Sequence, residues 1–533
     1  MPSNNPRQEA KPRATIAHVT LESHATARPL AALLDEIVGA RLIQGEASVS
    51  ISAVHHDSRL AGPGTLFVAI PGFNVDGHQF LPDVAAAGAT AVIVERGHPL
   101  PSLPPSLAVV EVPATRPALS AAAAWFYGHP SRELAVIGIT GTDGKTTTSH
   151  LLTYALEAAG ARVGRLGTVD TYLPGESGHV SARMTTPEAP EVQRLIRRMA
   201  DTHCDYAIVE STSHGLALHR LDHVEYDVAV FTNITSDHLD FHRTFEAYRD
   251  AKSRLFSALE PSADKGVGKH AVVNADDPSA QYMLGHAPSA EQVRFGLEAR
   301  DAEIVARNII LRPDGTSFRI VAPQGMAECT IRLPALFNVM NALAAASAAL
   351  SLGADLHEVA RGLGECPGVP GRMERIEAGQ PFEVVVDYAH TGDAVRKVLE
   401  VLRDVCKGRL IIVVGAAGER DPGRRFGVGR AAAEGADFAI FTNEDPRSED
   451  PAEIVREIGR HAESAGRRRG TDFLEIEDRR EAIAAALDMA RYGDIVVIAG
   501  KGHEKSIVYG TRAIPWDDRE VAREELAKLG YRA

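Results

Sequence analysis

Apolar residues fall in short runs along most of the chain, and these runs alternate with stretches of helical period. In the first hundred or so ordered positions, the runs 65–70, 90–94 and 107–112 predict strands. A small-residue stretch over 81–88 predicts a helix between the first two, so this part reads as a compact α/β unit. His129-Pro130-Ser131 marks its end, because proline resists the continuation of a helix. A second unit opens on the wholly apolar run 134–140 and continues through 206–209, 228–232 and 271–274. Strands apolar on both faces and separated by helices imply a parallel sheet covered on both sides. From about 370 onward, strands at 383–386, 410–414, 438–442 and 495–498 alternate with helices at 393–405, 430–435, 452–462 and 479–490, a doubly wound pattern. The expected fold class is α/β with three domains, over 29–131, 132–370 and 371–533.

Composition changes this picture little. The chain has 533 residues, 44% apolar, which is enough for several cores and excludes global disorder. The net charge of −14 argues against a nucleic-acid or membrane-surface partner, since either favours a basic face. Four cysteines without a CxxC pair support neither a disulfide framework nor a cysteine zinc site, and they fit a reducing cytoplasm. No run approaches the roughly 18 apolar residues of a spanning helix. Positions 1–28 are polar, lack the apolar stretch of a signal peptide, and are expected to be a disordered tail. The basic run at 467–469 reads as a solvated loop.

Candidate chemistry concentrates at Thr140-Gly141-Thr142-Asp143-Gly144-Lys145-Thr146-Thr147, between the apolar run 134–140 and a helical stretch. Glycines there allow backbone N–H groups to approach phosphate oxygens, and a helix N-terminus adds positive potential. Lys145 suits the β- and γ-phosphates and the Thr146 hydroxyl suits Mg²⁺. The motif departs from strict Walker spacing, because Ile139 stands five positions before Gly144. Downstream, His238 and His242 have the spacing of a zinc-hydrolase helix, but no Glu follows the first His, which argues against that chemistry.

The phosphate loop resembles that of the Mur ligase family, ATP-dependent amide-forming enzymes of peptidoglycan assembly. Further blocks match, in order, the members that add a diamino acid to UDP-N-acetylmuramoyl-L-alanyl-D-glutamate. They are Asp57-Ser58-Arg59, 71–78, 185–188, 213–216, 232–242, 371–374, 387–391, 444–447 and 500–504. The resemblance implies a central P-loop ATPase-type domain, a Rossmann-like C-terminal domain and ATP held between them. It assigns Gly141 to Thr147 to the phosphates, and Thr146, Glu210 and His238 to Mg²⁺. It makes Lys252 a lysine that is carbamylated by CO₂, an anion able to stand beside a second Mg²⁺. Asn274, Asn338, Arg372 and Asp387 are implied at adenine and ribose. His56, Ser58, Phe73, Asn74 and Val75 are implied at uridine, and Thr185, Thr186, Thr212 and Arg220 at the muramoyl peptide. Three departures concern loop shape: Ala335 where glycine is usual, Gly392 where proline is usual, and 424–429 for a Lys-Arg-Pro block; Thr212 stands where serine is common and keeps the hydroxyl. Leu218 replaces a glutamine, and that position is not carried over.

The same resemblance places Arg420 at the α-carboxylate of the incoming amino acid, with Gly500 and Glu504 around its amino group. Specificity is expected at Glu444-Asp445-Pro446-Arg447, which stands where diaminopimelate users have Asp-Asn-Pro-Arg. Arg447 suits a distal carboxylate, whereas the extra charge of Asp445 suits a distal ammonium alone, particularly if Asp445 or Glu444 neutralises Arg447. Diaminopimelate and lysine or ornithine therefore both stay open. A folylpolyglutamate-type ligase would lack the uridine-type N-terminal unit. A non-catalytic scaffold would lack Lys145, Glu210, His238 or Lys252, all of which are present. The expected protein is a cytoplasmic monomer acting on small molecules.

Overall fold

The computed structural model describes residues 27–72, 75–175, 185–235, 238–312, 314–420 and 423–532, with the backbone alone at 239–240. The expected tail at 1–28 lies almost entirely outside the described residues. The chain forms two compact units, Met1–Thr115 and Arg116–Ala533. In the first, a five-stranded sheet runs Arg41–Gln44, Ala108–Val112, Ala91–Glu95, Thr65–Val68, Ala53–His55, parallel except for its first pair. The apolar runs at 65–70, 90–94 and 107–112 supply its centre, as their two-faced burial requires.

The second unit contains two further large sheets. The larger has ten strands, with Ala135–Thr140 between Tyr206–Glu210 and Val228–Phe231 in its parallel part. Alternate residues of Ala135–Thr140 pack on opposite faces. Ile137 and Ile139 join Leu151, Leu152 and Val339 of the helices Lys145–Ala158 and Leu336–Ser351, while Val136 joins Ile196 and Leu255 of Ala189–Asp201 and Phe245–Ser257. The strands missing from the sequence reading are mostly the antiparallel ones. Ile304–Arg312, Gly315–Ala322 and Gly325–Ile331 extend the sheet as a meander. Gly315–Ala322 largely alternates buried and half-buried positions and so shows no apolar run.

The other large sheet has six strands in the order Glu374–Arg375, Glu383–Asp387, Ile495–Ala499, Leu410–Val414, Phe438–Phe441, Phe473–Glu475. Helices cover both faces, so the doubly wound pattern holds. The helix expected over 430–435 is longer, Gly423–Gly435; its first half was not legible because it carries the charged 424–425 pair in place of an apolar stripe. A small hairpin, Ser506–Tyr509 with Arg512–Pro515, stands apart from the sheet. The basic run is partly structural: Arg467 donates to the carbonyls of Ala433 (2.7 Å) and Ala436 (2.8 Å) at the end of a helix. No helix among the described residues is long and apolar enough to cross a membrane.

Ala335, at the entry to the helix Leu336–Ser351, has φ 82° and ψ 150°. That region is nearly glycine-only, and strain of this kind costs on the order of 1–3 kcal/mol. Ala335→Gly is therefore expected to stabilise the protein by about 1 kcal/mol after the entropy that glycine adds to the unfolded chain. Thermal unfolding measures it: a higher apparent midpoint is the expected result, and an unchanged or lower one contradicts the strain.

Candidate active site

The phosphate loop joins a buried strand to the helix Lys145–Ala158, and two glycines make its path possible. A Cβ on Gly141 would lie 1.9 Å from Thr232 Oγ1, and one on Gly144 (φ 87°) would lie 2.2 Å from Asn341 Oδ1. The next strand end braces the loop from outside. Asn233 accepts from Thr142 N through its carbonyl (2.8 Å) and from Asp143 N through Oδ1 (3.0 Å), while Thr232 Oγ1 donates to Asp143 O (2.7 Å). Lys145 Nζ donates to the carbonyls of Gly141 (2.9 Å) and Thr142 (2.8 Å), which holds the ammonium over the loop at the helix N-terminus. Thr147 lies in the first turn of that helix. A glycine loop, the N-terminus of a helix and a lysine ammonium held over both are the parts of an anion site.

Glu210 ends the neighbouring strand Tyr206–Glu210 and is fully buried. Its Oε2 accepts from Thr146 Oγ1 at 2.9 Å and from Thr168 Oγ1 at 2.8 Å, and its Oε1 from Thr168 N at 3.1 Å. The Thr168 hydroxyl reaches Thr185 Oγ1 at 3.1 Å. Thr186 Oγ1 donates to the Glu210 carbonyl (2.8 Å) and meets Thr212 Oγ1 at 2.9 Å, while Arg220 donates to Thr186 O (3.0 Å) and pairs with Glu188 (2.7 Å). Thr212 also caps the short helix Ser213–Ala217. The structure thus brings Thr146, Glu210, Thr185, Thr186, Thr212 and Arg220 into one hydrogen-bonded chain beside the phosphate loop. The hard oxygens of Thr146 and Glu210 suit Mg²⁺.

Lys252 is buried on the helix Phe245–Ser257, with Nζ donating to Gly141 O at 2.6 Å and lying 4.4 Å from the centre of the Tyr248 ring. It is therefore a member of the loop's surroundings and no surface lysine. His238 sits at φ 52° and is exposed, its ring 4.8 Å from that of His214. Neither it nor Glu210 belongs to a cluster of three metal-capable side chains among the described residues. His242 packs between the rings of His214, Phe241 and Tyr248, in keeping with a packing role.

Asn274 and Asn338 hold the backbone around the loop. Asn274 donates to Thr232 O (2.8 Å) and accepts from Asp276 N (3.0 Å), and Asn338 donates to Pro334 O (2.7 Å) and accepts from Asn341 (3.1 Å). Asp387 accepts from the N–H groups of Met373 (2.7 Å) and Ala389 (2.8 Å), and burial raises its carboxyl despite Arg372 nearby. Arg372 lies over the Tyr388 ring at 4.6 Å. Across the second unit, Lys397 pairs with Asp143 of the phosphate loop at 3.2 Å.

At the third large sheet, Glu444 and Gly500 follow the strands Phe438–Phe441 and Ile495–Ala499. Glu444 is buried, its Oε2 has no hydrogen-bond partner, and burial pushes its carboxyl up to about 7 while Lys501 and Arg479 pull it down. Asp445 Oδ1 accepts from Lys501 Nζ and from Val508 N, both at 2.9 Å. Lys501 also meets Glu504, at 2.5 Å. Pro446 is buried and Arg447 half-buried at φ 54°, its N–H bonded to Val508 O at 2.9 Å. The Arg447 guanidinium has no carboxylate partner among the described residues, and its buried Nε has no hydrogen-bond partner. Neither Asp445 nor Glu444 neutralises it, because Asp445 turns to Lys501. Arg420 is exposed, on a loop tied to this one by Gly418 N donating to Asp445 O (2.8 Å).

In the first unit, His56 is exposed, Ser58 begins a short 3₁₀ turn capped by Asp57, and Val75 is exposed. Phe73 and Asn74 lie outside the described residues. Nearby, Asp76, His78 and His98 converge, with His rings stacked at 3.9 Å. Glu95 N donates to His78 Nε2 (3.0 Å), so the proton is on Nδ1, directed at Asp76 Oδ1 (2.7 Å). A ring nitrogen so protonated offers no lone pair to a metal, and the trio braces the turn.

The sequence reading did not single out Thr168, Asn233, Asn341, Lys397, Arg479 or Lys501. Asn233 and Lys501 lay inside matched blocks, but the other four carried no local signal.

Family models match most of the chain: Mur ligase family, catalytic domain, over 50–132; Mur ligase middle domain over 139–349; and Mur ligase, glutamate ligase domain, over 371–502. A UDP-N-acetylmuramyl-tripeptide synthetase of Roseiflexus sp. (strain RS-1) is 47% identical over 90% of this chain and 95% of its own. A UDP-N-acetylmuramoyl-L-alanyl-D-glutamate–2,6-diaminopimelate ligase of Bacillus velezensis is 41% identical over the same shares, 90% and 95%. A solved structure of a ligase of that second name superposes with TM-score 0.64 at 29% identity, covering 95% of this chain and 100% of the other. With a phosphate loop, a buried glutamate and a threonine network arranged together, and all three family models matched in order, the chain belongs to the Mur ligase family.

Proposed function

We propose that this chain uses ATP to join a diamino acid to the D-glutamate of UDP-N-acetylmuramoyl-L-alanyl-D-glutamate, acting as a monomer in the cytoplasm. The observation that carries the reading is Glu210, whose carboxylate accepts from Thr146 of the phosphate loop and whose backbone carbonyl accepts from Thr186, itself bonded to Thr212, the threonines assigned to the muramoyl peptide. A reaction between a phosphate and a peptide carboxylate needs that adjacency. ATP with Mg²⁺ would supply activation of the glutamyl carboxylate as an acyl phosphate, with ADP leaving, and the amine would then displace phosphate from the acyl carbon to form the amide. Lys145 and the N-terminus of its helix offset phosphate charge, and Thr146 and Glu210 offer oxygen ligands to Mg²⁺, with His238 as a further ligand. Arg220 suits the peptide's carboxylate. Lys252, as a carbamate, would present an anion at the phosphate loop.

In this reading the residues 29–131 hold UDP through His56, Ser58 and the 73–75 turn. The residues 132–370 hold ATP, with Asn274 and Asn338 toward adenine, and 371–533 contribute Arg372 and Asp387 together with the amino-acid site. Arg420 grips the α-carboxylate, and Gly500 and Glu504 face the amino group. A distal carboxylate, as in 2,6-diaminopimelate, is the substrate feature we favour. Arg447 has no carboxylate partner among the described residues, and the Bacillus velezensis relative is named for that amino acid. Folylpolyglutamate synthesis is the weaker reading, because the matches extend through the N-terminal unit.

Phosphate release from ATP is expected only with the UDP-linked dipeptide and a diamino acid together. Lys145→Ala is expected to lower kcat about 10²-fold or more; retained turnover would remove Lys145 from the phosphates. Offered meso-diaminopimelate, lysine and ornithine separately, the enzyme is expected to favour the first. Arg447→Ala is expected to raise KM for diaminopimelate about tenfold or more and leave lysine use unchanged. Equal effects on both amino acids would refute a carboxylate-reading role. Incubation with isotopically labelled bicarbonate is expected to give a carbamate NMR signal that Lys252→Ala abolishes, and its absence from the wild type would exclude the modification.

A further inference from the structure

Lys501 is a buried lysine that the chemistry above does not use. Its side chain is 1% exposed, and its Nζ lies between two carboxylates, 2.9 Å from Asp445 Oδ1 and 2.5 Å from Glu504 Oε2. Burial alone would lower its pKa, but the neighbouring Glu504 and Asp445 charges raise it, so it stays an ammonium at neutral pH. Asp445 is thereby committed: the same Oδ1 also accepts from Val508 N. Two residues along the same loop, Arg447 is fixed by its backbone to the 506–515 hairpin, donating to Val508 O (2.9 Å) and accepting from Gly510 N (2.6 Å).

A carboxylate two residues from an arginine on a half-buried loop is that arginine's natural partner, and pairing would cancel its attraction for an incoming anion. We propose that Lys501 is a specificity-determining positioning residue: by holding Asp445, it leaves the Arg447 guanidinium to read a distal carboxylate on the diamino acid. The inference rests on the diaminopimelate reading. Lys501 thus supplies the charge that allows an aspartate at 445, and it joins the selectivity loop to Glu504 at the amino group.

The test compares phosphate release with meso-diaminopimelate and with lysine for the wild type, Lys501→Met, Asp445→Asn and the double variant. Wild-type preference for diaminopimelate tests the substrate reading by itself, and its absence overturns both that reading and this inference. Given the preference, Lys501→Met is expected to raise KM for diaminopimelate relative to lysine by about tenfold or more, because Asp445 then turns to Arg447. Asp445→Asn alone is expected to keep the preference, and adding it to Lys501→Met is expected to restore it. A merely structural lysine would lower turnover of both amino acids alike and would not be rescued by Asp445→Asn, and either result overturns the inference. Lys501→Gln, neutral but still able to donate a hydrogen bond, is read in place of Lys501→Met if circular dichroism shows that the methionine variant is unfolded.

Discussion

A carboxylate removed from water must be answered by donors, and the arrangement of the larger sheet follows from how Glu210 is answered. It ends a fully buried parallel strand, so solvent cannot satisfy it. Its donors come from three places in the chain: Thr146 at the start of the phosphate-loop helix, Thr168 after the next strand, and Thr186 through the glutamate's own carbonyl. Each donor brings its own segment of chain with it. The demand for hydrogen bonds at one buried group therefore sets the phosphate loop beside the threonine network, which is the geometry that a transfer from phosphate to carboxylate needs.

The six-stranded sheet solves the same problem with cations. Arg479 is buried on the helix Arg479–Met489 and meets Asp518 bidentately at 2.8 and 2.6 Å. Its remaining N–H groups donate to the carbonyls of Asn443 (3.1 Å) and Ala499 (2.8 Å), the residues just before Glu444 and Gly500. One guanidinium thus sets the spacing of two strand ends from behind, while Lys501 joins the loops that follow them. Buried ion pairs contribute uncertain net stability, but they fix position strongly because breaking one leaves a bare charge. Position is what the proposed selectivity role of the 444–447 loop requires.

Central parallel strands were legible where burial on both faces forces a continuous apolar run, as in 134–140 and 410–414. The parallel strands Val163–Leu166 and Glu291–Gly296 were not, because glycine and polar residues interrupt them. The meander at 304–331 was not, since an antiparallel strand with one wetter face spreads its apolar residues over alternate positions. The phosphate loop was legible because its glycines and lysine must be contiguous to wrap a phosphate. Thr168 and Asn341 were not, because each comes from a distant element: Thr168 bonds Glu210 through its hydroxyl and N–H, and the Asn341 amide packs against Gly144. Ala335 was marked in the sequence only by contrast with a usual glycine, and the positive φ gives that contrast its physical meaning.

The sequence by itself determined the α/β class, the order of the three sheets and the contiguous chemistry, since each is written in neighbouring residues. It also posed a question that it was unable to answer, whether the added charge of Asp445 neutralises Arg447. Local counting treats the two as natural partners on one loop. The tertiary structure decided otherwise, because a lysine 56 residues away is buried against Asp445 and pairs with it. Electrostatic pairing depends on distance and burial, and those are properties of the folded chain alone.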